Sequence, residues 1–260
     1  MSENNSTNSS SGFKLLLITL LSTAVFAGAG YGASYLMKEQ WTSDVSLEKP
    51  STAELGNYYS LFSTYNLVNE KKVDTEADMV VFNSFKQLAT SYDHAKTFWE
   101  NTDYYKQQLT DNPQHDSELL DKLIKKINLV ENGSDKARLT LELENPKRAN
   151  ELLSSYMDYT NNLNKQSVYN DLIVKWKSLF DQVKSASEVN LDSNGKQNWE
   201  AKLKMMRSVS GLDDNLSSYH FLKKPGQAAL SGPDRLLWAG AGAGVGFILG
   251  LLISLFIRRK

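Results

Sequence analysis

LLWAGAGAGVGFILGLLISLFIRRK, residues 236–260, decides the class of this chain. From Leu236 to Ile257 no side chain is ionisable, and at ~1.5 Å rise per residue the run is long enough to cross a bilayer as a helix. It stops at Arg258-Arg259-Lys260, a basic cluster that favours the cytoplasmic side. The glycines are unusual for such a segment, because each costs a helix in water about 1 kcal/mol relative to alanine. In lipid, small residues let two helix backbones come close. Gly240 and Gly244, Gly242 and Gly246, and Gly246 and Gly250 are each four apart, so they stack on neighbouring strips of one helix. These glycines are read as helix-packing positions, with a plain membrane anchor as the alternative.

A second apolar run, residues 15–37, lies between Lys14 and Lys38. A cleavable signal peptide competes for it, with Lys14 as the basic region and Ala27-Gly28-Ala29 as a small-residue cleavage site. The apolar character continues through Tyr31, Tyr35, Leu36 and Met37, which is too long for a signal core, and the tyrosines sit where interfacial aromatics belong. Gly28 and Gly32 repeat the four-residue spacing. The run is read as a retained span, which puts both termini in the cytoplasm and residues 38–235 across the membrane. Residues 1–14 are expected to be a disordered polar tail, and 258–260 a basic cytoplasmic end.

The intervening segment has the size of one domain. WTSDVSLEKP opens it with a period of two: Ser43, Val45 and Leu47 alternate with Thr42, Asp44 and Ser46, up to Pro50. Helices are expected over Thr52–Asn69, over Ala77–Gln108 with an aromatic stripe of Phe82, Phe85, Leu88, Tyr92, Phe98 and Trp99, and over Ser117–Lys126. Then the period switches. INLVENGSDKARLTLELE carries an Asn132-Gly133 turn between two strand-like runs, and Ala137, Leu139, Leu141 and Leu143 share the dry face of the second.

Asn145-Pro146 is a cap residue followed by a first-turn proline, and no proline or glycine interrupts the chain from Lys147 to about Asn190. A continuous helix there would be about 65 Å long at ~1.5 Å per residue. Leu152, Tyr156, Leu163, Tyr169, Leu172, Trp176, Leu179 and Val183 mark its apolar stripe. DSNG turns the chain at residues 192–195, and a shorter helix returns with Trp199, Leu203 and Met206. SSYHFLKKP reads as a last strand. The fold class expected is α+β: two transmembrane helices flanking a domain with a small mixed or antiparallel sheet, packed helices and a protruding helical hairpin over about 146–210. The stripe exceeds what one small domain covers, so Tyr169, Trp176, Leu179 and Val183 are expected to meet a neighbouring copy.

Several function classes are disfavoured. A net charge of −1 and the lack of a basic aromatic patch argue against a nucleic-acid partner, and there is no cysteine. His94, His115 and His220 fall on different elements, so no metal cluster is expected. No phosphate-cradling loop occurs, and Asp213-Asp214 reads as a solvated loop pair. No catalytic residue, metal or cofactor is assigned.

WTSDVSLEKP, NYYS, FWENTDYYKQ and LLDKLIKKI, followed by YHFLKKP and SGPDR before a glycine-rich last span, resemble the Wzz chain-length determinants, or polysaccharide co-polymerases. The likeness looks closest to the branch that modulates enterobacterial common antigen. Pro225, Ser231, Pro233 and Arg235 carry the closing, juxtamembrane part of the pattern. The resemblance implies a periplasmic domain and ring-shaped homo-oligomers in the bacterial inner membrane. It also implies non-enzymatic control of how far a Wzy-type polymerase extends a lipid-linked surface glycan, of the enterobacterial common antigen or O-antigen type. Self, polymerase, lipid-linked polysaccharide and membrane are the implied partners. Two departures stand out: the stretch between Trp176 and Tyr219 is short for that branch, and the amino-terminal tail lacks its hydrophobic and basic lead-in. A membrane-anchored periplasmic receptor for a soluble ligand is the alternative from another class. A kinase-linked capsule co-polymerase would need an ATP-binding region that this sequence does not contain.

Overall fold

The computed structural model describes residues 7–70, 76–189 and 198–258. The expected DSNG turn, the leader up to Ser6 and Arg259-Lys260 lie outside the described residues. The chain divides into two compact units, one of residues 1–42, 143–146 and 229–260, the other of 43–142 and 147–228.

The first unit is built on α1 (Thr7–Ala33) and α9 (Arg235–Arg258), which pack along their lengths. Both are long and apolar enough to cross a membrane, over Leu16–Leu36 and Arg235–Ile257. Large apolar side chains such as Leu20, Val25, Phe247 and Phe256 stay exposed on them, as lipid-facing positions would. Residues 7–14, expected as tail, are helical: extending a formed helix adds one hydrogen bond per residue with no new nucleation, and nothing here breaks it. A single 3-10 turn, Ser34–Leu36, follows α1. The start of β1 (Gln40–Glu48) pairs antiparallel with β5 (Ala229–Gly232), Trp41 opposite Leu230. Asp234 then caps α9, its Oδ1 accepting from Leu236 N at 3.0 Å and Leu237 N at 3.2 Å.

The second unit holds the rest of the sheet and the packed helices. β2 (Ile127–Glu131) and β3 (Lys136–Leu143) form an antiparallel hairpin with Leu129 opposite Leu139. Gly133 takes φ +88° in the connecting loop, a conformation open to glycine. The strand order is β2-β3-β1-β4, β4 being His220–Lys223, with β5 beside β1 off that path. Val45, Leu47, Ala137, Leu139, Leu141 and Leu143 are all buried, so the alternation in both strands marks the covered face of the sheet. Asp44 lies on the opposite face between two cations, Arg138 at 3.0 Å and Lys223 at 2.6 Å. Burial pushes its carboxyl up, but the hydrogen bonds and charges of Lys223 and Arg138 outweigh that and hold it below the usual range.

The expected helices are more broken than their patterns. Thr52–Asn69 divides into a 3-10 turn, Thr52–Leu55, and α2, Asn57–Asn69. Gly56 separates them at φ +56°, with Asp213 packed where a side chain would sit. Ala77–Gln108 becomes α3 (Ala77–Ala89), α4 (Tyr92–Asn101) and α5 (Asp103–Lys106). Ser91 Oγ accepts from His94 N, and Thr102 Oγ1 accepts from Tyr105 N, so each hydroxyl starts a new helix rather than continuing the old one. The break turns Tyr92 outward while Phe82, Phe85, Phe98 and Trp99 remain in the core. α6 runs from Pro113 to Ile124, four residues earlier than expected, because Asn112 Oδ1 caps Gln114 N and His115 N ahead of a first-turn proline.

α7, Pro146–Glu188, is one unbroken helix of 43 residues, and α8 (Trp199–Ser208) packs with α2 along its distal half. One apolar cluster joins Leu55, Tyr58, Leu61, Val81, Val168 and Leu172; another joins Val68, Leu179, Val183, Leu203 and Met206.

Candidate functional site

The glycine pattern resolves into two sets. A methyl group added at Gly242 would overlap Phe26 O, and one at Gly30 would overlap Trp238 O, with the two glycine backbones in direct contact. At Gly246 an added carbon would lie 2.7 Å from both Ser22 O and Phe26 Cβ, and at Gly250 2.8 Å from Thr19 Cα. These four glycines form a seam where α1 and α9 touch backbone to backbone. Hydroxyls fix its register: Ser22 Oγ donates to Gly246 O at 2.8 Å, and Thr19 Oγ1 lies 3.2 Å from Ser254 Oγ. Gly28, Gly32, Gly240 and Gly244 have nothing within 4 Å of an added carbon, so none of them packs in this seam. Gly30 and the hydroxyls of Thr19, Ser22 and Ser254 were not singled out from sequence. The signal was a serine or threonine at helical spacing in each apolar run.

The juxtamembrane residues form a polar collar within the first unit. The Arg235 guanidinium lies 4.2 Å over the Tyr35 ring, donates to Tyr35 OH at 3.1 Å, and stands 3.7 Å from Glu39. Ser231 Oγ donates to Gln40 O at 3.1 Å, and Pro233 follows a cis peptide bond. Pro225 belongs to the second unit, half-buried, next to Gly226, whose carbonyl accepts from Ser43 Oγ at 3.5 Å.

Of the four positions expected to meet a neighbouring copy, Leu179 and Val183 lie in the chain's own core, while Tyr169 and Trp176 are half-buried at its edge. Val183 is fully buried and Leu179 nearly so, against Val68, Leu203 and Met206. Trp176 bridges both apolar clusters. The Tyr169 ring stacks near Tyr58 and its hydroxyl donates to Asp213 O at 2.6 Å. Burial, with Asp213 beside it, raises that phenol to about 12. Along the stripe Tyr156, Leu172, Leu179 and Val183 are buried, Leu152, Tyr169 and Trp176 are half-buried and Leu163 is exposed, with α2 and α8 packed against its distal half.

Polar groups interrupt the buried side of α7. Asn164 is fully buried and donates to Val81 O at 3.0 Å and to Ser218 Oγ at 2.9 Å, while its Oδ1 has no donor among the described residues. Thr160 Oγ1 donates to Tyr156 O at 2.7 Å, so it accepts from His94 Nε2, 2.8 Å away. His94 therefore carries a proton on Nε2, and burial lowers its pKa to about 4, which keeps the ring neutral near pH 7. An unfolded histidine protonates near 6.5, where the folded one cannot, so the folded state loses stability as pH falls from 6.5 towards 4. Urea unfolding of the detergent-solubilised chain should lose on the order of 2–3 kcal/mol through this group between pH 7.5 and 4.5. In His94→Gln that part of the slope should vanish; an identical slope in both proteins would refute the assignment. His220 sits in the opposite situation: its Nδ1 is 2.7 Å from Glu54 Oε1, and that hydrogen bond raises its pKa. Among the described residues no cluster of three histidine, aspartate or glutamate side chains is placed to hold a metal ion.

Two apolar helices joined by a backbone-contact seam, a small sheet, and a 43-residue helix with a returning partner make a distinctive architecture. It matches a full-length bacterial polysaccharide co-polymerase with a TM-score of 0.60 over 98% of both chains, at 12% identity. The fold is that of the polysaccharide co-polymerases. A fragment of WzzB, the polysaccharide co-polymerase from Salmonella Typhimurium, aligns with a TM-score of 0.51 over 75% of this chain and 100% of the fragment, at 15% identity. In sequence, the chain is 26% identical over 168 residues to the ECA polysaccharide chain length modulation protein of Escherichia coli K12. That alignment covers 62% of this chain and 48% of the relative. The namesake from Salmonella typhimurium LT2 is 25% identical over 169 residues, or 62% of this chain and 49% of the relative. The chain thus spans about half the length of the curated relatives it matches. No family model matches it. The resemblance to the Wzz chain-length determinants therefore stands on sequence and fold together.

Proposed function

We propose that this chain is a non-enzymatic regulator of glycan chain length, acting with a Wzy-type polymerase on a lipid-linked surface polysaccharide. The observation that carries this reading is the fold, shared over nearly the whole chain with a full-length co-polymerase. The curated relatives are named for chain-length modulation of the ECA polysaccharide, and the role is transferred from them. The protein works as a ring-shaped homo-oligomer in the inner membrane, with residues 38–235 in the periplasm and both ends in the cytoplasm. Support for that topology comes from the two apolar helices and the basic cluster after the second.

Deletion of the gene, followed by gel display of the host's surface polysaccharides, tests the function. A changed length distribution with polymer still present is expected, and an unchanged ladder would sink the reading. Reporter fusions at Ser11 and after Lys260 should both report cytoplasm; a mature protein beginning near Tyr31 would overturn the topology.

A further inference from the structure

An open groove of about 500 Å³ runs between α3 and α7 in the second unit. Its volume falls within the roughly 300–1,000 Å³ usual for small-molecule sites. Ser84, Gln87 and Ser91 line one wall and Ser167 and Asn170 the other, with Leu163 as an apolar ledge. None of the nine lining residues carries a charge. The side chains of Ser84, Gln87, Ser167 and Asn170 make no hydrogen bond to the described chain, so their donors and acceptors remain available. Asn164, fully buried by its two donated bonds, anchors the groove between the helices.

This lining selects its occupant by chemistry. A charged ligand would lose water here without gaining a counter-charge, and a purely apolar one would strip hydration from six amides and hydroxyls or more. An uncharged sugar suits it: hydroxyls and amides exchange hydrogen bonds with the same groups, and the C–H face of a ring lies on a leucine ledge. We propose that the α3–α7 groove is a subsite for an uncharged segment of the growing glycan. The assignment rests on the chain-length reading above and extends it, since a regulator with a glycan subsite senses the polymer directly.

The test uses the full chain in lipid nanodiscs and, as probe, short delipidated oligosaccharides released by partial acid hydrolysis of the host's surface polysaccharide. Calorimetry should detect saturable binding. Ser167→Trp, which fills the groove, and the pair Gln87→Ala with Asn170→Ala, which strips hydrogen-bonding groups from exposed positions, should each weaken it tenfold or more. Oligomer mass and thermal unfolding should match the unmodified protein. Absence of saturable binding to the unmodified protein, or binding within twofold of it in the alanine pair, overturns the proposal. A change in oligomer mass in Ser167→Trp also overturns it, by giving the groove to a second copy of the chain. Failure of the chain-length reading is distinct: gene deletion would then leave the glycan ladder unchanged whatever the groove binds.

Discussion

Gly242→Leu is expected to part the two terminal helices. The added side chain would start in the space of Phe26 O, and a backbone carbonyl inside a helix cannot rotate away as a side chain would. Overpacking of this kind costs about 1–3 kcal/mol or more, and here it also pulls Ser22 Oγ from Gly246 O. The chain has no cysteine, so a reporter pair can be introduced cleanly. Thr19→Cys with Ser254→Cys replaces hydroxyls 3.2 Å apart and should cross-link on oxidation, seen as two fragments held together after proteolysis between the spans. Adding Gly242→Leu should abolish most of that cross-link, whereas Gly244→Leu, at a position with open space around it, should leave it intact. Equal cross-linking in both would mean the seam does not depend on glycine. An effect of Gly244→Leu on assembly or glycan length, with the cross-link preserved, would assign that strip to another chain.

Val183→Asp should unfold the hairpin. It removes a fully buried valine, worth about 1.5–3 kcal/mol, and leaves a carboxylate among the apolar side chains of Val68, Leu179, Leu203 and Met206. Together these approach the about 5–15 kcal/mol by which a domain is stable at all. Rapid proteolysis in the second unit and a lost cooperative melt are expected. Val174→Asp, on the same helix but 68% exposed, is the control and should melt within a few degrees of the unmodified chain. Comparable melting of the two variants would contradict the placement of α7 against α2 and α8. Because Val183 is a core residue, a length phenotype in its variants reports loss of fold and says nothing about contacts between copies.

Much of this architecture is written locally. The alternation of Ala137, Leu139, Leu141 and Leu143 leaves one arrangement for β3, and Asn145-Pro146 leaves one start for α7. Helix breaks are harder to read, because Ser91 and Thr102 could equally sit inside a helix. Only the tertiary packing that turns Tyr92 outward makes them caps. β5 has four residues and no alternation of its own; its pairing with β1 defines it. Spacing also leaves partners undetermined. A four-residue glycine period places residues on strips but does not say which strip meets α1, so Gly242, Gly246 and Gly250 separated from Gly240 and Gly244 only in three dimensions. In the same way a helical stripe says that Leu179 and Val183 are covered, without saying by what.

The central claim is that this chain sets glycan length and leaves bond formation to another protein. Its most direct measurement titrates the protein from an inducible promoter in a deletion strain, recording both total sugar incorporated into surface polymer and the distribution of chain lengths. The length distribution should move with expression level while total incorporation stays constant. Incorporation that falls to zero as the protein is withdrawn, from cells whose polymerase is still present, would contradict the claim.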